Sequence, residues 1–136
     1  MKQSDLRIAV YLTIISFALI TLQWNILPVD APDSEMYGFP LPYSCNAWHT
    51  SLARQYFLLE FFIDILCYFI FWTVCLLFLK KLNVQIFSKR IIGYVLLFVA
   101  GIFLILSLIL AFMFENTFQL KRDFDFETES IEVRIL

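Results

Sequence analysis

Glu60 and Asp64 stand four residues apart inside a run of otherwise uncharged, apolar residues. On a helix that spacing puts both carboxyl groups on one face. An ionised acid in such surroundings costs several kcal/mol unless it is paired, hydrated or protonated. Two kinds of use follow. One is a polar intramembrane site for a proton, a cation or a contact with a partner subunit. The other is structural: Glu60 reaches up to the lipid headgroups, and Asp64 bonds a neighbouring hydroxyl or one of Arg54, Lys121 and Arg122.

Cys45 and His49 are also four apart, and a thiolate beside an imidazole can act as a nucleophile. No third group stands ready to orient them. Metal ligation would need more ligands, for which Asp30, Asp33 and Glu35 are available. Cys67 and Cys75 lie eight residues apart, about 12 Å along a helix and too far to join. The single histidine falls outside the apolar runs, so no span offers an axial haem ligand. The reading is no catalytic residues, no cofactor and no metal site, with a thiol enzyme at Cys45 and His49 as the least supported class.

The elements that must position these residues are three long apolar runs, at residues 6–24, 56–79 and 91–114. A helix rises about 1.5 Å per residue, so about 20 residues cross about 30 Å of hydrocarbon. Composition agrees: 61% of the 136 residues are hydrophobic and 16% charged, against roughly 25% charged in soluble domains. The expected fold class is an all-α membrane protein with three transmembrane helices and no separate soluble domain.

Charge orients it. The segment 80–90 carries Lys80, Lys81, Lys89 and Arg90 and no acid, while 25–55 carries Asp30, Asp33 and Glu35 against Arg54. Basic residues near span ends stay cytoplasmic. The expected order is a cytoplasmic N-terminus (1–5), a first span (6–24), an outer loop (25–55), a second span (56–79), a cytoplasmic loop (80–90), a third span (91–114) and an outer tail (115–136). The first run is read as an uncleaved anchor, because no small-residue cleavage site follows it. Thr50 or Ser51 would cap the second helix, with 51–56 as its exposed first turns.

Two surfaces look made for other chains. In the third span Gly93, Ala100 and Ser107 recur every seven residues, which keeps small residues on one face and lets backbones approach. In the tail, apolar Phe124, Phe126, Ile131, Val133 and Ile135 alternate with polar neighbours, with a phase shift at Ser130–Ile131 that a bulge or a break would explain. A lone strand needs a sheet edge. With no other strand evident, the tail is either disordered or joins a partner's sheet.

The outer loop holds all four prolines and an aromatic half, Gly-Phe-Pro-Leu-Pro-Tyr at 38–43. Phe39 and Leu41 are expected at the lipid boundary or folded over the bundle top. This motif, followed by a span carrying Asp64, resembles small bacterial inner-membrane proteins of unknown function, over residues 37–72. The resemblance implies placement in the bacterial inner membrane and carries no assigned activity. In size the chain also resembles three-span phage holins, but its expected orientation and acidic tail depart from theirs.

The function expected is a non-catalytic accessory or assembly subunit of a larger inner-membrane complex. The alternative is a homo-oligomeric ion- or proton-linked transport component using Glu60 and Asp64. The partners expected are membrane lipids and either an integral-membrane protein or further copies of this chain, with no nucleic acid.

Overall fold

The computed structural model describes residues 3–28, 34–47, 53–82, 90–113, 115–122 and 126–135. The element order is α1 (Gln3–Leu19), β1 (Ile20–Pro28), β2 (Ser34–Tyr37), β3 (Ser44–Asn46), β4 (Arg54–Phe57), α2 (Leu58–Lys81), α3 (Arg90–Met113), β5 (Thr117–Gln119) and β6 (Phe126–Ile135). The six strands form one sheet in the order β5-β4-β3-β2-β1-β6, antiparallel except for the parallel pair β4 and β5.

This corrects the all-α, three-span expectation. Two helices are long and apolar enough to cross a membrane, Leu58–Lys81 and Ile91–Phe112, and they coincide with the second and third apolar runs. The first run is divided: helix to Leu19, strand from Ile20. The reason is its pattern. Ile20, Leu22, Trp24 and Ile26 alternate with Thr21, Gln23 and Asn25, the period of a strand rather than of a helix buried on all sides. The start of the second helix is corrected too. Residues 54–57 are β4, which places Phe57 in the sheet core, and α2 begins at Leu58.

The tail also finds its partner within the chain. β6 pairs antiparallel with β1 from Ile20↔Ile135 to Pro28↔Phe126. Asn25 pairs with Ser130 and Ile26 with Thr128, so Glu129 is a one-residue bulge. Directly paired residues share a face. The bulge therefore sets Ile131 and Val133, from after the phase shift, on the same face as β1's Leu22 and Trp24, and puts position 126, from before it, in register with Pro28. Paired without the bulge, the same residues would put positions 126 and 131 on opposite faces.

The sheet is two-faced throughout. On one face Ile26, Met36, Cys45 and Phe57 form the buried core, with Trp24 against it. On the other, Asn25 Nδ2 donates to Ser130 Oγ at 2.8 Å, and the Tyr37 hydroxyl donates to Glu35 Oε2 at 2.6 Å. There too the Arg54 guanidinium lies 5.2 Å from the Tyr37 ring centroid, and Tyr56 stacks on Phe118 at 5.5 Å.

The chain divides into two compact units, Met1–Leu19 with Ile65–Leu108, and Ile20–Asp64 with Ile109–Leu136. The first is helical. Within it α1 runs antiparallel to α2: Lys80 pairs with Asp5 at 3.1 Å, Trp72 Nε1 donates to Ser16 Oγ at 2.8 Å, and Phe17 meets Tyr68 edge-on at 5.7 Å. Ala9, Thr13 and Ser16, spaced as one helix face, are buried there. The second unit contains the sheet and the helix ends joined to it. Asn116 ties these together: its amide nitrogen donates to the Ala111 carbonyl at 2.7 Å, closing α3, and its Oδ1 accepts from the Arg54 amide at 2.7 Å.

Candidate functional site

Asp64 is fully buried, and its two oxygens are both engaged. The Phe39 amide donates to Oδ2 at 2.7 Å and the Leu41 amide to Oδ1 at 3.0 Å. The carboxylate thus holds the irregular segment between β2 and β3, the Gly-Phe-Pro-Leu-Pro-Tyr loop. Its partner is backbone, not the hydroxyl or the Arg54, Lys121 or Arg122 expected from sequence. Hydrogen bonds to a charged acceptor are roughly twice as strong as neutral ones, which suits a group that must fix a loop without a ladder.

The rest of the loop is equally constrained. The Gly38 amide donates to the Leu22 carbonyl at 3.0 Å, and the Tyr43 amide to the Tyr37 carbonyl at 2.9 Å. Trp24, read from sequence as an interface anchor, donates its indole N–H to the Gly38 carbonyl at 2.9 Å. The Phe39–Pro40 bond is cis. Gly38 has φ of +154°, and a Cβ there would overlap the Leu41 carbonyl oxygen and come within 2.7 Å of the Tyr43 amide nitrogen. Only glycine fits. The core of the loop faces inward through these bonds, while Phe39 and Leu41 remain 46% and 38% exposed.

Glu60 lies one turn before Asp64 and is buried, but its Oε2 finds no hydrogen-bond partner among the described residues. It does not reach an open surface. Gln119 Oε1, on the neighbouring strand β5, is buried without a donor as well. The two acids therefore differ: one is fully satisfied, and the other has capacity left over.

Ala100 is buried, whereas Ser107 is exposed and a Cβ on Gly93 would meet nothing within 4 Å. The small-residue stripe of α3 is thus covered at one point within this chain. Phe126, Ile131, Val133 and Ile135 lie on β6, and Phe124 falls outside the described residues. His49 also falls outside them, as do Asp30 and Asp33. Cys45 is buried in the sheet core, and burial pushes its thiol up to about 11, which keeps it protonated and a poor nucleophile near neutral pH. Cys67 and Cys75 are free and half-buried. No group of three or more His, Cys, Asp or Glu residues is placed to hold a metal among the described residues.

Sequence reasoning missed Trp24 and Gly38 as loop-holding residues. The signal for Trp24 was the alternation through 20–26. The signal for Gly38 was a glycine entering a segment with proline at every second position. Compared with known proteins, the chain matches no family model, no curated protein and no solved structure.

Proposed function

We propose that this chain is a non-catalytic accessory or assembly subunit of a larger complex in the bacterial inner membrane, which it crosses more than once. The basic segment 80–90 faces the cytoplasm by its charge. β4 leads into α2 and β5 follows α3, so this reading puts both strands on the outer side.

One observation carries the reading. Ile131 and Val133 lie on the same sheet face as the buried core, yet on the edge strand they are 50% and 69% exposed. An edge strand with apolar side chains left uncovered suits a partner that lies against it and extends the apolar face. α3 supports this from within the membrane: Gly93 and Gly101 leave room for a helix to approach closely.

Native mass spectrometry from gentle detergent tests it. The wild-type chain is expected in a mixed complex, and an Ile131→Lys/Val133→Lys chain, altered only at exposed positions, is expected to leave it. A wild-type chain found alone would overturn the reading. The alternative, a homo-oligomer moving ions or protons, is favoured only by the unsatisfied Glu60 oxygen. It requires homo-oligomers in the same spectra and loss of transport in Glu60→Gln.

A further inference from the structure

The loop at 38–43 is irregular backbone held against α2 at the level of Asp64, and α2 fixes what that level is. The helix ends on Lys80 and Lys81, whose charges belong among headgroups. Hydrocarbon about 30 Å thick takes about 20 residues at about 1.5 Å each. Counted back from Leu79, the opposite boundary falls near Glu60, and Asp64 lies about 6 Å inside it.

Backbone at that depth can persist only if its polar groups are satisfied from within the protein, since each open amide costs several kcal/mol in lipid. Here the amides of the loop can be accounted for one by one. Gly38 donates to Leu22, Phe39 and Leu41 donate to Asp64, and Tyr43 donates to Tyr37. Pro40 and Pro42 have no amide hydrogen to satisfy. No amide hydrogen from Gly38 to Tyr43 needs water. A loop facing solvent does not need every donor closed by a buried carboxylate and neighbouring carbonyls, and the Gly38 and Tyr43 carbonyls are engaged too, by the Trp24 indole and the Phe57 amide.

The outward side chains agree. Phe39 and Leu41 are exposed, and so on the first turns of α2 are Leu59, Phe62 and Ile63, at 47%, 64% and 36%. The exposed part of the loop continues the apolar surface of the spanning helix and carries no charge.

We propose that the 38–43 loop is seated in the bilayer, with Phe39 and Leu41 among the acyl chains at the outer edge of the hydrocarbon and Asp64 as the group that makes this depth tolerable. The occupant of this surface is lipid. The inference rests on α2 crossing the membrane, and the experiment separates the two.

The full chain, with Cys45, Cys67 and Cys75 replaced by alanine, is reconstituted in phosphatidylcholine–phosphatidylglycerol vesicles. A nitroxide is placed singly at Phe39→Cys, Leu41→Cys, Phe71→Cys or Asn46→Cys. Collision with dissolved oxygen is compared with collision with a water-soluble nickel chelate. Phe71 reports mid-span, and Asn46, exposed on β3, reports water. Labels at positions 39 and 41 are expected to favour oxygen severalfold over the label at 46, as the label at 71 does. If the labels at 39 and 41 behave like the one at 46 while the one at 71 stays lipid-like, the loop is aqueous and the inference falls, with the membrane reading intact. If the label at 71 also behaves as aqueous, α2 does not cross and both fall. Position 41 gives an independent reading should the label at 39 disturb the loop.

Discussion

At the scale of single residues, Asp64 and Glu60 look alike in sequence and are opposite in role. Asp64→Asn swaps one acceptor oxygen for a donor that faces another donor, so one loop amide is left buried and unbonded. That should cost about 1–3 kcal/mol, seen as a lower unfolding midpoint in detergent and faster proteolysis of the loop. Glu60→Gln removes a charge whose Oε2 has no partner among the described residues, and should leave the midpoint unchanged or raise it. Equal losses in the two variants would contradict the assignment.

Cys45 supplies a pH test at the same scale. Its thiol is raised from 9.0 to about 11 by burial. Below 9.0 both the folded and the unfolded chain hold the proton. Between there and about 11 the unfolded chain releases it and the folded chain does not, so stability falls as pH rises through that window. Tyr56, raised by burial against the opposing pull of Arg54, works in the same direction. Unfolding curves across the window should show the decline, and Cys45→Ala should show a shallower one. Iodoacetamide should reach Cys45 only after unfolding.

At the scale of elements, the bulge in β6 sets the register of the longest strand pair. Glu129 faces no residue of β1. Deleting it leaves Ser130 opposite Asn25 and Thr128 opposite Ile26, so every pairing survives. Deleting Glu132 instead keeps both ends of β6 paired only if the bulge closes, which sets Ile131 opposite Gln23 and Ser130 opposite Trp24 and so turns Ile131 to the polar face. The Glu129 deletion should stay folded by circular dichroism and lose little stability, and the Glu132 deletion should have a distinctly lower unfolding midpoint. A reversed order would mean that the register is held elsewhere. The helix pairing is less demanding. Lys80 and Asp5 form an exposed ion pair, a kind worth at most about 1 kcal/mol, and Ser16, on the buried face with Ala9 and Thr13, accepts from Trp72.

At the scale of the whole molecule, α2 and α3 return the chain to the sheet. The strand before α2 and the strand after α3 are paired in parallel, Tyr56 opposite Phe118. With both helices spanning, the basic segment 80–90 and the chain end must lie on opposite sides. A reporter inserted at 80–90 should read as cytoplasmic and one fused after Leu136 as external. Two reporters on one side would end the reading of α2 and α3 as a membrane hairpin.

The sequence by itself determined the two long apolar helices, because only length and the absence of charge are needed to see them. It also determined that 126–135 is strand-like with a break in phase, because alternation is local. It did not reveal that 20–28 is a strand, since those residues continue an apolar run without interruption and their weaker alternation became meaningful only once β6 and β2 lay on either side. The placement of Asp64 was likewise out of reach. Its two donors come from amides 23 and 25 residues earlier, and backbone amides, common to nearly every residue, leave no mark in a sequence. Pairing partners and the company of a buried charge are decided by which segments fold against each other, and that only the tertiary structure decided.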